Sequence, residues 1–259
     1  SAASDVYKRQ YKYIAVPAIY QLEQDLLNGC TDRGAFAAHH AEMYSKSGVG
    51  CKYLHTPTPA PLSLSRRRKM QSDKFQILLI GHLRGTATLS GIQLFCREIL
   101  PGLERALPPD SFEVNVVGGF YETLPVEYKR SMKSKNVRIW GQVVPPDHFF
   151  ISTDIVLVPT PIELGIRVRI LTAFAFKCCV VAHSSNQLGI PEMRHMDNAI
   201  LGSSGTALVD LIAGIAFNKK HRNSIAVRAR RTYLSTFSID SAGQELNREM
   251  TDLYINTRS

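Results

Sequence analysis

The sequence predicts an α/β domain built on a doubly wound parallel sheet. Apolar runs rich in Val, Ile and Leu recur at QILLIGHL (76–83), FEVNVVGG (112–119), VRIWGQV (137–143), DIVLVP (154–159) and CCVVAH (178–183). Segments with apolar residues three and four apart separate them, near 91–106, 125–134, 146–152 and 167–177. Continuous apolar strands alternating with helices argue for a parallel sheet covered on both faces. Beyond Pro191, a short strand (NAILG) and three helices lead to the end of the chain.

At 259 residues, 44% hydrophobic and 20% charged, the chain should form a packed core, as one large domain or two small ones. No apolar run approaches the ~18–20 residues that span a bilayer. The N-terminus SAASDVYKRQYKY also lacks the apolar stretch of a secretory signal, so a cytoplasmic location is expected. The five cysteines (Cys30, Cys51, Cys96, Cys178, Cys179) show neither CxxC nor Cys/His ligand spacing, and no zinc site is expected. Cys178 and Cys179 are neighbours in a strand and should point to opposite faces as buried thiols. The net charge of +9 is concentrated in RRRK (66–69) with Lys74 and in KKHRNSIAVRARR (219–231). Such clusters either attract anions or form a solvated linker and an outer helix face. Neither is interleaved with aromatic residues for stacking bases, so no nucleic-acid partner is expected.

Residues 1–10 resemble translated adapter sequence and are expected to take no part in the fold, with the natural protein longer than this chain. Residues 11–60 suggest a βαβ piece made of YIAVPAIY, GAFAAHHAEMYSKSGV and CKYLHTP. Residues 61–74, within a stretch rich in Pro, Ser and charge, read as a linker. The main domain is expected over 75–259.

In sheets of this kind, ligands bind at the carboxyl ends of the strands, where the strand order reverses. Three junctions there can carry chemistry. GHLRGTATLSGI (81–92) combines Gly81, Gly85 and Gly91 with the hydroxyls of Thr86, Thr88 and Ser90 and the donors of Arg84. It is neither GxGxxG nor a Walker loop, which argues against NAD and against ATP hydrolysis; a plain turn and an anion cradle both fit it. TPIELGIR turns at Gly165 into a helix whose first turn carries Arg167 and Arg169. Arginine is disfavoured there unless an anion is near. Phosphate answers that need, and a pairing of Glu163 with Arg167 or Arg169 is the alternative. AHSSNQLGIPE (182–192) offers Asn186, Gly189 and Glu192, as a polar surface loop or as ligand contacts. His39 and His40 read as surface or helix-packing residues.

Gly81-His82-Leu83, Val117-Gly118-Gly119, Val137 to Gly141, Asp154 to Pro159, Leu171 to Ala175 and Val180-Val181-Ala182 occur in that order, followed by GIPE, NAILG and ARRTYLSTFS. Together, over about residues 75–240, they resemble the C-terminal, donor-binding domain of the GT-B fold nucleotide-sugar glycosyltransferases called glycosyl transferases group 1, a retaining family. The resemblance implies a Rossmann-like sheet, with residues 11–60 as a fragment of an N-terminal acceptor-binding α/β domain. It implies transfer of a sugar from a nucleoside-diphosphate sugar to an acceptor hydroxyl, with no cofactor and no essential metal. The acceptor would be a lipid-linked or other glycan, with peripheral contact to an anionic membrane. Gly81, His82, Arg84, Gly165, Ile166 and Arg167 would hold the diphosphate, and Thr172, Asn186 and Glu192 would approach the ribose or sugar. Glu163 is the catalytic candidate. The chain departs from the family pattern at several places. Leu164 and Thr172 stand at the paired glutamates, His82 at the diphosphate arginine and Ser90 at the lysine; Arg84 and Arg167 are the substitutes. Two alternatives follow: a non-catalytic nucleotide- or anion-binding module, and, on charge alone, a basic nucleic-acid-binding protein.

Overall fold

A computed structural model of the chain describes residues 16–30, 32–61 and 73–256. The expectations for residues 1–10 and for most of the linker lie outside these. The N-terminal part holds α1 (Val16–Asn28), β1 (Gly34–Ala35), α2 (Ala38–Lys46) and β2 (Lys52–Tyr53), with β1 and β2 parallel. The βαβ piece is present, but its first strand is not YIAVPAIY. From Val16 that run is helical, because Ile19, Leu22 and Leu26 continue it at helical spacing.

The large sheet comprises β3 (Phe75–Ile80), β4 (Phe112–Val117), β5 (Val137–Gly141), β6 (Ile155–Val158), β7 (Cys179–His183) and β8 (Ile200–Gly202). Its spatial order is β5-β4-β3-β6-β7-β8, and every pairing is parallel. All five long predicted strands therefore lie in one parallel sheet. The chain runs outward from β3 to β5 and then returns to the other side of β3. The reversal falls between β3 and β6, and their carboxyl ends form the switch point.

Alternate strand residues divide the core. Ile77, Leu79, Val114, Leu157 and Val181 face one layer, with Ile92, Phe95, Ile99, Ile212 and Ile225. Leu78, Val156, Val158 and Val180 face the other, with Phe149, Ile170, Leu171, Phe174 and Tyr233. Each such side chain stabilises the fold by roughly 1.5–3 kcal/mol when fully buried. Cys178 joins the second layer and Cys179 the first, so the pair does point to opposite faces.

The first layer is built from α3 (Thr86–Leu94), a π-turn (Phe95–Ile99) and α4 (Leu100–Ala106), with α5 (Val126–Ser131) and α8 (Gly205–Ala216). The helix expected from 91 begins at Thr86. Gly91, a loop signal in the sequence, lies inside it because a Cβ there would stand 3.2 Å from Thr160 Oγ1. The second layer contains α6 (Asp147–Ser152) and α7 (Val168–Ala175). α9 (Lys219–Thr232) contributes to both layers, and a π-turn (Tyr233–Phe237) leads to α10 (Ile239–Asn256).

The basic run on α9 is only partly a solvated face. Arg222 is 6% exposed; it donates to the carbonyls of Ile215 and Ala216 and to Asp154 at 2.9 Å, and lies over the Phe75 ring. Arg228 pairs with Asp197 at 2.7 Å, and Arg230 donates to the Ala175 carbonyl. Lys219, Lys220 and Arg231 remain exposed.

The N-terminal piece is clasped to the large domain. The Tyr233 hydroxyl donates to the Thr58 carbonyl at 2.9 Å, and Thr58 N–H to the Phe237 carbonyl at 2.8 Å. His55 lies between two carboxylates, 3.0 Å from Glu192 and 2.8 Å from Glu245. No described helix is long and apolar enough to cross a membrane.

Candidate nucleotide-sugar crevice

β3 and β4 are each followed by a glycine with positive φ: Gly81 at 155° and Gly118 at 154°. A Cβ on Gly118 would fall 1.8 Å from the Gly81 carbonyl oxygen, so the two loops meet backbone to backbone and only glycine fits. A Cβ on Gly81 would lie 2.5 Å from Arg169 Nη1. The strand ends thus make an open floor on which α3 and α7 begin.

Neither helix start is closed by a side chain. Gly85 is the N-cap of α3 and Arg167 that of α7, and neither side makes a cap hydrogen bond. The first N–H groups of a helix have no intrahelical acceptor and carry partial positive charge. Two such starts converge on the switch point, where Thr88 of α3 and Arg169 of α7 are directly bonded.

Thr160, fully buried, joins all three polar loops. Its hydroxyl donates to the Ala87 carbonyl at 3.1 Å and accepts from Arg169 Nη2 at 3.0 Å. Its carbonyl accepts from Ser185 Oγ at 2.9 Å and Asn186 Nδ2 at 3.1 Å. Arg169 Nη1 reaches Thr88 Oγ1 at 3.0 Å. Burial, and then the Arg167 charge, pushes the Arg169 pKa down to about 10, so the group is still a cation at neutral pH. Among the described residues, no carboxylate lies within ion-pair distance of Arg169 or Arg167.

Residues singled out from the sequence take several distinct positions. Arg167 turns back on its own loop and donates to the carbonyls of Ile162, Leu164 and Ile166; Glu163 is exposed and pairs with neither arginine. Arg84 is exposed and lines a cavity of about 390 Å³ with Leu83, Leu89, Thr123 and Leu124, on the β4 side of the loop. Arg84 and Arg167 therefore share no partner. His82 is exposed and packs against Phe120, with ring centroids 4.6 Å apart. Gly165 turns with φ 57°, and its carbonyl would be 2.7 Å from a Cβ on Gly189, which couples the second and third loops. Ile166 packs on the second core layer.

Thr172 donates back to the Val168 carbonyl at 3.1 Å within α7. Asn186 is buried and donates to the carbonyls of Thr160 and His183. Glu192 accepts from Tyr53 at 3.1 Å and faces His55; burial acts to raise its pKa, but the His55 contact brings it below the usual value. The sequence does not mark out Thr160, and it offers Arg169 with Arg167 as a first-turn arginine in want of an anion but does not place it among the diphosphate contacts. The available signal was spacing. Arg169 lies on the first turn of α7, four residues before the buried Ala173, and so shares its inward face.

A family model described as Glycosyl transferases group 1 matches residues 74–216. No curated protein matches the chain. Among solved structures, it is similar to Anabaena HepE in complex with UDP-glucose, at 14% identity and TM-score 0.71, covering 88% of this chain and 66% of that one. It is also similar to a sucrose-phosphate synthase from Thermosynechococcus elongatus, at 14% identity and TM-score 0.68, covering 91% and 61%. The C-terminal domain of LpcC from Francisella tularensis, a glycosyl transferase group 1 family protein, matches at 21% identity and TM-score 0.52, covering 65% and 88%. The chain spans 63%, 66% and 64% of the length of the three HepE structures. The architecture is the expected GT-B type of α/β fold. Because the family match runs from the start of the large sheet through α8, over more than half of its length, the chain belongs to the glycosyl transferases group 1 family.

Proposed function

We propose that this protein transfers a sugar from a nucleoside-diphosphate sugar to an acceptor hydroxyl, with retention at the anomeric carbon. The observation that carries the reading is the switch-point crevice, where two uncapped helix starts and Arg169, a cation bonded to hydroxyls and not to a carboxylate, converge on glycine-floored loops. As the bond to the sugar breaks, negative charge develops on the departing diphosphate. Fixed N–H dipoles and a guanidinium stabilise that charge without having to reorganise. The backbone at Gly81 and Gly165–Arg167, with Arg84 at the rim, would line the diphosphate, and Glu163 would face the reacting sugar. HepE, in complex with UDP-glucose, supports a uridine nucleotide as the first donor to try. For an acceptor in an anionic membrane, Lys219, Lys220 and Arg231 are the exposed contacts.

Titration calorimetry of the chain with UDP and UDP-glucose tests the reading, with one-site binding expected and no heat from glucose alone. Absence of binding to UDP, GDP and ADP alike would sink it. The second reading, a binding module without catalysis, is favoured by Glu192 being engaged with His55 and Tyr53. Release of UDP from UDP-glucose in the presence of acceptor glycans separates the two.

A further inference from the structure

We infer that Arg169 supplies the fixed cation that grips the donor diphosphate, working from the floor of the crevice; this rests on the sugar-transfer reading above. The group is half-buried and its two observed partners, Thr88 Oγ1 and Thr160 Oγ1, are neutral hydroxyls. A guanidinium has five N–H donors, and these bonds use two of them. A buried charge is normally paired, because removing it from water is costly. Here, among the described residues, the charge that acts on it is another cation, Arg167, and the start of α7 adds partial positive charge. The hydroxyls fix the orientation of Arg169 and leave its charge uncompensated.

The other basic groups nearby are placed differently. Arg167 is folded onto the carbonyls of its own loop, Arg84 stands on the β4 side among leucines, and His82 rests on Phe120. Arg169 alone among these four bridges the start of α3 and the start of the loop after β6. Gly81 lets it lie against the backbone of the first loop. The enclosed space beside it is about 10 Å³, room for a water molecule and not for a phosphate. The phosphates therefore meet its open side, above Gly81, where a planar fork can face two phosphoryl oxygens.

The test compares UDP with uridine, which lacks the phosphates, by calorimetry on the full chain. Arg169→Gln keeps an N–H donor group on a shorter side chain and removes the charge. It should weaken UDP binding by about thirtyfold and leave uridine binding unchanged. Arg169→Lys keeps the charge and should hold UDP within about tenfold of the parent. Equal UDP affinity in the parent and Arg169→Gln would make Arg169 a structural strut and overturn the inference, with the nucleotide reading intact. No UDP binding by the parent chain removes that reading and the inference together. Should Arg169→Gln fail to fold, Arg169→Lys decides: loss of UDP and uridine binding in equal proportion overturns the inference, while retained UDP binding supports it.

Discussion

The two ends of β6 each hold an arginine withdrawn from solvent, Arg222 buried and Arg169 half-buried, and the two are treated in opposite ways. At the amino end, Arg222 is matched by the Asp154 carboxylate, two helix-terminal carbonyls and the face of Phe75. At the carboxyl end, Arg169 has two threonine hydroxyls and no acid. The first arrangement satisfies both charge and hydrogen bonding and closes the C-terminus of α8. The second satisfies geometry and leaves charge over. One end of the strand is finished as structure, and the other, on the proposed reading, is left open for an anion.

The comparison can be broken most directly at the carboxyl end, where the loops rely on backbone contact and not on charge. Gly118→Ala places a Cβ against the Gly81 carbonyl and should cost about 4 kcal/mol or prevent folding, through overpacking and backbone strain. An unfolding midpoint in urea equal to that of the parent would show that the two loops separate freely. Arg222→Met should cost about 3 kcal/mol, because it strands Asp154 and two carbonyls. Arg169→Met should cost clearly less in the same urea titration; if it costs as much, the two arginines are equivalent struts and the contrast is wrong.

A smaller effect sharpens the picture. Thr160→Val keeps the shape but removes the hydroxyl shared by Ala87 and Arg169, at a cost of about 2 kcal/mol. The loss should be less than additive with Arg169→Met in a double-mutant cycle, since both remove the same bond. Additive losses would mean that Thr160 and Arg169 are not coupled.

The smallest expected effect is a pH dependence at the N-terminal clasp. The Glu192 contact, and then that with Glu245, raise the His55 pKa against the opposing effect of burial. A raised folded-state pKa means the protonated form is favoured in the fold. The contribution is fully present below the unfolded value of about 6.5 and is lost as pH rises through the higher folded value. We expect about 0.5–1 kcal/mol of stability to disappear across that window, and His55→Gln to flatten the profile. A profile in His55→Gln as steep as that of the parent would exclude His55 as its source.

The sheet was legible in the sequence because its strands are buried on both faces, which leaves uninterrupted Val, Ile and Leu. The N-terminal strand was less so: YIAVPAIY is apolar enough for a strand, and only the continuation through Leu22 and Leu26 reveals the helix. At the crevice, the glycines at 81 and 165 and the polar loops could be found by type. What residue type alone does not give is direction, which only the helical spacing of Arg169 hints at. Arg167 and Arg169 are two residues apart, and the N-cap geometry turns the first back onto its loop while the helix sends the second inward. Thr160 carries no signal at all, since its role is set by three loops that are distant in the chain.

The contact between Gly91 and Thr160 also determines how freely this end of the molecule can move. With α3 resting on the backbone of Pro159 and Thr160, and Thr160 tied to the loops on either side, the three segments shift together or stay in place. A diphosphate bound as proposed would find its surroundings already ordered, and little conformational entropy would be lost as it docks. Its association would then be set by encounter and by stripping water from the phosphates, with no folding step to wait for.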